Sequence, residues 1–328
     1  MAVVLFMGAA LAGCAPDEAP ASPSRPAQAV EPFSFGVVGD VPYGAQQSAD
    51  FPRLVADIER MDLSWLIHVG DFKAGSTECS DEVFRERVAA IDAIDAAVVY
   101  VPGDNEWTDC HRQSAGGYSP LDRLAVLRQL AYPSPGRSLG RRPLTVATQA
   151  TEPGMAEFPE HQRWTRGEVV FTTLHVVGSA NGLVDFRGRT SEDDAEVARR
   201  IDATVAWLDN SFAEAVSGNA AGMVVVIHAN ALDPEYEPKP GSPPPYRGFI
   251  SALRRGAERF GKPVLLVHGD THEFRIDRPL RDGMGVLRVA NLVRLEGFGA
   301  PDFGWVEVRV DPADPAVFQF IPRTLDTR

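Results

Sequence analysis

Apolar runs of strand length alternate with amphipathic stretches of helix length through the first third of the chain. Three of the apolar runs end in Gly-Asp, in the segments FSFGVVGD, LSWLIHVGD and AAVVYVPGD. Apolar residues in the stretches between these runs recur every three or four positions, which predicts helices. They are Leu54, Val55, Ile58 and Met61 in the first stretch, and Phe84, Val88, Ile91 and Ile94 in the second. This order of strands and helices is typical of parallel βαβ units, so we expect an α/β protein.

The remainder of the chain continues the alternation. Residues 191–216 predict a long amphipathic helix that begins with a capping box of Ser191 and Asp194. The segment AGMVVVIHAN predicts a strand that ends in His228, and VLLVHGDTHEF predicts another that ends in His-Gly-Asp-Thr-His. Three apolar runs in the tail, within MGVLRVANLV, DFGWVEVRV and AVFQFIP, predict strands that complete a second sheet.

Side chains of the types that bind metals follow five of the predicted strands. They are Asp40, Asp71, Asp104, His228, Asp270 and His272. One Gly-Asp pair after a strand is weak evidence, because Gly and Asp are common turn residues, but five polar endings in order form a pattern. The carboxyl ends of parallel strands line one crevice, so four carboxylates would lie close together and need protons or cations between them. Two divalent ions would supply that charge, and the histidines would add neutral nitrogen ligands.

The length, hydrophobic fraction and net charge of the chain limit the classes of protein to which it can belong. The chain has 328 residues, 44% of them hydrophobic, and a formal net charge of -13. A sizeable core is therefore possible, and we expect one domain over residues 32–328. The acidic balance argues against a nucleic-acid surface, which needs clustered Lys and Arg. We therefore expect no nucleic-acid partner, and a nuclease is disfavoured.

The N-terminal segment MAVVLFMGAALAGC is distinct from the rest. Its apolar stretch is too short to span a bilayer as a helix, but it suits the core of a signal peptide. LAGC resembles the lipobox of bacterial lipoproteins, in which the cysteine, here Cys14, is lipidated. No Lys or Arg precedes the apolar run, and an ordinary cleaved signal with a chance cysteine is the alternative.

These features predict a lipoprotein-type signal peptide over residues 1–14 and a tether over residues 15–31. The tether is rich in Pro, Ala and charge, a composition that favours disorder. The protein is then expected in the bacterial cell envelope, attached to the membrane through the lipid anchor and facing the periplasm or the exterior.

The two remaining cysteines are Cys79 and Cys110. An even pair in an oxidising compartment predicts one disulfide. The alternative is two buried free thiols. We favour the bridge because both cysteines lie in polar sequence, STECSD and WTDCHR, where burial is not expected.

The order of the strand-end motifs resembles that of the calcineurin-like metallophosphoesterases, a group that includes the purple acid phosphatases. The family pattern is GDxH, GDxxD or a relative, GNH[DE], an isolated His after a strand, and GHxH. Here GDVP, GDFKAG, GDNE, His228 and GDTH stand in that order between Phe33 and the C-terminus. The resemblance implies an α/β fold, a four-layer α-β-β-α sandwich of two mixed β-sheets flanked by helices. It also implies a two-metal site at the strand ends.

The resemblance also implies a role for each motif residue. Asp40 corresponds to a ligand of the first metal, and Asp71 to the carboxylate that bridges both metals. Asn105 corresponds to the histidine that assists the leaving group, which would make it a catalytic and substrate-binding residue together with the catalytic Asp71. The other implied metal ligands are Asp104, His228, Asp270 and His272.

Three family histidines are replaced in this sequence, by Pro42, Asn105 and Asp270. The site is therefore richer in oxygen, which favours Mn, Mg, Ca or Fe over Zn as the divalent ions. His268 and His111 lie close to the motifs and could substitute for a lost ligand, or they are ordinary surface or strand residues.

Lys73 follows the second motif. It could neutralise carboxylates or bind a phosphate of the substrate, and the alternative is a solvated loop lysine.

These observations predict an exported, metal-dependent phosphoric ester hydrolase that acts on esters or anhydrides of phosphorylated small molecules. Asn105 can donate a hydrogen bond to a phosphate oxygen, but an amide cannot pass a proton to a departing alkoxide. Substrates with good leaving groups should then react best. The competing hypothesis is an envelope protein of the same fold that does not catalyse the reaction and whose degenerate site binds a metal or an anionic ligand.

Overall fold

Two mixed β-sheets contain the strands of the residues that the structure describes. A computed structural model describes residues 1–5, 31–285 and 288–326. The first sheet has five strands in the order β12-β11-β1-β2-β3, and the second has seven in the order β4-β5-β6-β7-β8-β10-β9. The strands are β1 (Phe33–Val38), β2 (Leu66–His68), β3 (Val98–Tyr100), β4 (Ala147–Thr148), β5 (Gln162–Arg166), β6 (Val169–Thr173), β7 (Gly222–Val226), β8 (Val264–His268), β9 (Arg275–Asp277), β10 (Leu292–Glu296), β11 (Gly304–Val310) and β12 (Phe318–Thr324).

Helices cover the outer face of each sheet. The longer ones span Gly44–Glu59, Asp81–Asp92, Pro120–Ala131, Ser191–Ser217 and Arg247–Phe260. The helix Ser191–Ser217 has Thr190 as its N-cap, and the carboxylate of Asp193 accepts a hydrogen bond from the Thr190 N–H at 2.8 Å. The observed capping box is therefore Thr190 and Asp193, and the predicted one, Ser191 and Asp194, was placed one residue too far towards the C-terminus. None of the helices in the described ranges is long and apolar enough to cross a membrane.

Alternation along the strands builds the layers. Leu66 of β2 packs in an outer cluster with the helix residues Leu54 and Phe84, whereas the next residue, Ile67, packs between the two sheets. Leu266 of β8 packs against the helices on the far side of the second sheet. Each such fully buried side chain contributes about 1.5–3 kcal/mol to folding. The predicted four-layer α-β-β-α sandwich is confirmed.

The tail strands divide between the two sheets. β10 pairs with β8 in the second sheet, whereas β11 pairs antiparallel with β1 in the first, with Phe33 opposite Val310. The prediction that all three tail strands complete one second sheet is therefore wrong. Apolar alternation identified β11 and β12 but placed β10 too early, since MGVLRVANLV reaches only the first two residues of Leu292–Glu296. Alternation also carries no information about which sheet edge each strand joins.

The central strands of both sheets run parallel, so their carboxyl ends meet at one edge of the sandwich. β1, β2 and β3 are parallel neighbours, as are β6, β7, β8 and β10. Backbone hydrogen bonds join the loops at that edge: the Asp40 N–H donates to Gly70 O, and the Gly269 N–H donates to His228 O, each at 3.0 Å. The predicted site residues lie on these loops. Cys14 lies outside the described residues, and its lipidation stays a prediction.

Candidate metal centre

Loops that follow five strands bring the predicted ligands together. Ligand atoms of Asp40, Asp71 and His228 lie within 4.8 Å of one another. Ligand atoms of Asp104, His228 and Asp270 also lie within 4.8 Å of one another. We call these the first and the second ligand group. His228 belongs to both, so its imidazole lies between two pairs of carboxylates.

The ring of His228 is held by its other nitrogen. Nδ1 is 2.7 Å from the carbonyl oxygen of Val69, and since a carbonyl only accepts, Nδ1 donates. Nε2 is buried and has no hydrogen-bond partner among the described residues. Its distances to the nearest carboxylate oxygens are 3.4 Å to Asp104, 3.6 Å to Asp71 and 3.8 Å to Asp270. A buried nitrogen that faces three carboxylates without a hydrogen bond suits a cation placed between them.

His272 repeats this arrangement beside the first ligand group. Its Nδ1 lies 2.7 Å from Ala300 O, and its Nε2 lies 3.5 Å from Asp40 Oδ1. The Asp270 N–H donates to both carboxylate oxygens of Asp40, at 3.2 and 3.3 Å. The last motif therefore contacts the first motif directly, although 230 residues separate them.

Asp71 is held by two neighbouring side chains. The Tyr43 hydroxyl donates to Asp71 Oδ2 at 2.7 Å, and the Asn105 N–H donates to Oδ1 at 3.1 Å. The Asn105 side-chain amide also donates to Asp71 Oδ2, and to the Tyr43 oxygen at 2.8 Å. Pro42 contributes no ligand atom, but Tyr43 follows it and lies edge-on to the His272 ring, 5.1 Å between centroids.

Sequence reasoning missed Tyr43 and Glu106. Glu106 is fully buried and accepts hydrogen bonds from the Phe72 N–H at 2.8 Å and the Tyr100 hydroxyl at 3.1 Å, which joins the loops after β2 and β3. Both residues stand within three positions of a ligand aspartate, and that proximity is the sequence feature that could have identified them.

The two ligand groups contain more negative than positive charge, and this imbalance shifts the pKa values of their side chains. Burial raises the pKa of Asp270 to about 7, and the charge of Asp104 acts in the same direction. Burial likewise raises the pKa of Asp71 well above its usual value. For His228, burial alone would lower the pKa, but the charge of Asp71 and the contact with Asp104 raise it well above the usual value. His228 Nε2 therefore holds either a proton or a cation.

Backbone strain concentrates at the same residues. Four of the six predicted ligands have left-handed φ values: Asp40 (53°), Asp71 (56°), Asp270 (82°) and His272 (61°). For residues with a Cβ, this conformation costs roughly 1–2 kcal/mol each. The folded state therefore tolerates an unfavourable backbone conformation at these residues, and this conformation directs their side chains into one space.

A left-handed turn closes the second ligand group. Its φ values are 49° at Ser179, 53° at Ala180, 54° at Asn181 and 80° at Gly182. Just before it, a Cβ on Gly178 would lie 2.4 Å from Asp270 Oδ1 and 2.5 Å from Asp104 Oδ2. Only glycine fits against these carboxylates, so the backbone at Gly178 passes next to the second ligand group without a side chain in between.

Three other candidate residues lie apart from the two groups. His268 is buried and contacts Gly269 O through Nδ1, and His111 stacks on Phe186 with 4.5 Å between ring centroids. Neither substitutes for a replaced histidine. Lys73 is buried, so it is not a solvated loop lysine: its ammonium donates to the carbonyl oxygens of Ala74 (3.2 Å) and Thr77 (3.0 Å). Its role as a phosphate ligand stays a prediction.

The predicted disulfide is confirmed. Cys79 and Cys110 are bonded, with their Cα atoms 5.7 Å apart. Both are fully buried, which contradicts the expectation from their polar surroundings, because they pack in the apolar cluster that contains Phe84 and Trp107. Each Sγ lies 3.6 Å from the carbonyl oxygen of Asn105, so the bridge supports the backbone of a site residue.

Comparison with known proteins bears on the fold. The sequence matches no protein-family model and no curated protein. The chain is similar to the structure of PhoD, with a TM-score of 0.55, 13% identity, and coverage of 88% of this chain and 65% of that one. It therefore spans a little under two thirds of the length of PhoD.

Two further solved structures are similar at lower scores. A protein from Staphylococcus aureus assigned as a 5'-nucleotidase, in complex with alpha-ketoglutarate, gives a TM-score of 0.43 at 14% identity, over 90% of this chain and 54% of that one. Vacuolar Protein Sorting 29 from Cryptosporidium parvum gives 0.32 at 13% identity, over 90% and 98%. The likeness to PhoD is one of fold and agrees with the sandwich of two mixed β-sheets described above.

Proposed function

We propose that the protein is an exported, metal-dependent phosphoric ester hydrolase that acts on phosphorylated small molecules. The observation that carries this proposal is His228 Nε2, buried without a hydrogen-bond partner in the described residues and facing three carboxylates. The strained backbone at four of the predicted ligands, the order of the strand-end motifs and the likeness in fold to PhoD support it.

The ligand groups identify the residues that would hold divalent ions. Asp40, Asp71 and His272 would hold one ion, and Asp104, His228 and Asp270 would hold the other, with Asp71 Oδ1 only 3.6 Å from His228 Nε2. Because four of these ligands are carboxylates, the site favours Mn, Mg, Ca or Fe over Zn. Bound divalent ions would polarise the phosphoryl oxygens and lower the pKa of a bound water.

The protein's own side chains would orient the phosphate and limit the choice of leaving group. The amide of Asn105 is directed at Asp71 Oδ2 and the Tyr43 hydroxyl, so it lies next to the first ligand group. An amide can donate to a phosphate oxygen, but it cannot protonate a departing alkoxide. We therefore infer that esters with good leaving groups, or phosphoanhydrides, react fastest.

The replacement of three histidines favours a second candidate, a protein of the same fold that binds a metal or an anion without hydrolysis. Pro42 supplies no ligand atom, and Asn105 supplies no acid. The strain at Asp40, Asp71 and Asp270 argues for the enzyme, because a binding-only site for a single ion would not need so many strained carboxylates.

We propose the cell envelope as the location, with Cys14 lipidated and residues 15–31 as a tether. The sequence pattern LAGC supports this proposal. Labelling of expressing cells with an alkyne fatty acid should mark the wild-type protein and leave Cys14→Ser unmarked.

Metal binding and hydrolysis should be measured on the same preparation. The purified protein, stripped with a chelator, should bind divalent metal and hydrolyse p-nitrophenyl phosphate only after metal is restored. His228→Ala should lose both properties, and His111→Ala is the matched control that should keep both. Metal binding without hydrolysis of any phosphate ester or anhydride would favour the binding protein. A protein that binds no divalent metal would refute the hydrolase and leave only a protein that binds an anion.

A further inference from the structure

An arginine lies at the mouth of the site, held by a buried carboxylate. Arg112 Nη2 is 2.8 Å from Asp109 Oδ2, and Asp109 is almost completely buried. The other oxygen of Asp109 accepts a hydrogen bond from the Ser179 hydroxyl at 2.6 Å. Ser179 belongs to the left-handed turn beside the second ligand group, so one end of the guanidinium is fixed relative to that group.

The other end of the guanidinium borders Asn105. A Cβ on Gly75 would lie 3.2 Å from Arg112 Nη1 and 2.7 Å from Asn105 Oδ1, so both atoms face the same small space. The ion pair with Asp109 uses Nη2 and not Nη1, and the Arg112 side chain is 31% exposed. The guanidinium therefore presents N–H donors at a partly exposed position next to the residue expected beside the leaving group.

The proline-rich loop after β7 covers one face of this arginine. The ring of Tyr236 lies 5.6 Å from the guanidinium carbon of Arg112, within the range of a cation–π contact. Tyr236 is itself exposed. A half-exposed arginine that is fixed by Asp109 on one side and by an aromatic ring on another loses little freedom when it binds an anion.

Lys73 does not offer an equivalent donor. Its ammonium is bound to the carbonyl oxygens of Ala74 and Thr77 and is buried. Of these two cations, Arg112 is the partly exposed one, and a planar guanidinium is suited to phosphate oxygens.

We propose that Arg112 binds a second phosphoryl group, the one that departs, and so makes the site selective for phosphoanhydrides over phosphate monoesters. This inference rests on the proposed function, because it places the transferred phosphoryl group at the two ligand groups. Arg112 would contact the substrate, and Tyr236 is a positioning residue that holds the guanidinium.

The chemistry of the anhydride matches the residues present. A water oxygen forms a bond to the terminal phosphorus, the bridging P–O bond breaks, and the departing phosphate keeps the electron pair of that bond. The two protons of the water end on the phosphate products or in solvent. A departing phosphate needs no proton at the moment of cleavage, so Asn105 is adequate, and the positive charge of Arg112 stabilises the negative charge that develops on the leaving group.

Binding of a non-hydrolysable anhydride tests this directly. Calorimetry with Mn²⁺-loaded protein should compare imidodiphosphate with inorganic phosphate, for wild type, Arg112→Gln and Arg85→Gln. Arg85 is an exposed helix arginine and serves as the matched control. Arg112→Gln should weaken imidodiphosphate by roughly tenfold to a hundredfold, the range of a charge-assisted hydrogen bond, and phosphate by less than threefold. Arg85→Gln should change neither.

Steady-state kinetics provide a second test of the same inference. Arg112→Gln should lower kcat/KM for pyrophosphate at least ten times more than for p-nitrophenyl phosphate. Tyr236→Phe, which keeps the ring, should retain imidodiphosphate binding, whereas Tyr236→Leu should lose part of it.

Three outcomes would overturn the inference: equal losses for imidodiphosphate and phosphate, no loss for either, or a wild type that does not bind imidodiphosphate. A protein that hydrolyses nothing would refute the proposed function alone, because the binding comparison still decides whether Arg112 recognises a second phosphoryl group.

Discussion

The Nε2 atom of His228 lies 3.4 Å from Asp104 Oδ1, too far for a hydrogen bond of ordinary strength and close enough for both atoms to bind one cation. The two side chains reach this position from different sheets, His228 after β7 and Asp104 after β3. The separation is therefore set by how the sheets pack, and the candidate metal centre is a property of the whole sandwich.

Removal of the Asp71 carboxylate should weaken metal binding at both ligand groups, because Asp71 belongs to the first group and its Oδ1 lies 3.6 Å from His228 Nε2, which Asp104 and Asp270 also face. We expect Asp71→Asn to reduce the affinity for Mn²⁺ at two sites by at least tenfold each, whereas Asp40→Asn should weaken one site only, because Asp40 belongs to one group. Calorimetric titration gives the affinities, and far-ultraviolet circular dichroism checks that each variant is folded. A folded Asp71→Asn protein with unchanged stoichiometry and affinity would contradict the shared role of this carboxylate.

The position of Asn105 should control which leaving groups react. Asn105→His supplies an imidazole that can donate a proton, and such general-acid assistance is typically worth about 10² to 10⁴ in rate. We expect this variant to raise kcat/KM for phenyl phosphate relative to p-nitrophenyl phosphate, because only the poorer leaving group needs the proton. Asn105→Ala is the control that removes the amide without supplying an acid. An unchanged ratio in Asn105→His would show that position 105 is not beside the leaving group.

The sequence of strands and helices along the first third of the chain, and the clustering of the strand-end side chains, were predictable because both depend on local sequence. Apolar alternation identified β1, β2 and β3, and the Gly-Asp endings placed Asp40, Asp71 and Asp104 at one edge, since parallel strands end there. The contacts of Tyr43 and Arg112 were not predictable, because each reaches a loop distant in the chain: Tyr43 contacts His272, and Arg112 contacts Tyr236.

Local sequence also misled in one respect. The polar neighbours of Cys79 and Cys110 predicted exposure, but the two cysteines are fully buried in an apolar cluster beneath the site. Polar residues next to a cysteine point away from it when the chain turns sharply, and a single sequence does not show where that happens.

Loss of this disulfide should cost stability and perturb the site. The bridge closes a loop with a sequence separation of 31 residues. The chain-entropy relation gives about 3–4 kcal/mol for a loop of that length. We expect the double variant Cys79→Ser, Cys110→Ser to lose about that much free energy of unfolding in urea. Because both sulfurs lie against the Asn105 carbonyl, kcat should also fall. Unchanged stability and kcat would show that the bridge supports neither.

A buried histidine far from the metal centre should make the protein acid-sensitive. His161 is fully buried between Gln149 (2.5 Å from Nδ1) and Thr204 (3.4 Å from Nε2), and burial lowers its pKa from 6.5 to about 3. The unfolded chain therefore binds a proton below about pH 6.5 that the folded chain refuses until about pH 3. Stability contributed by the neutral ring is complete above pH 6.5 and is lost progressively as the pH falls through this window.

At pH 5 this one histidine should lower the free energy of unfolding by about 2 kcal/mol relative to pH 7. His161→Gln cannot take up the proton, and its amide can still hydrogen-bond to Gln149. Whatever its stability at pH 7, we expect the variant to lose about 2 kcal/mol less than wild type between pH 7 and pH 5. Urea denaturation in the presence of a chelator, which removes any metal contribution, measures both differences. Equal losses in the two proteins would show that His161 is not the group that makes the fold sensitive to acid.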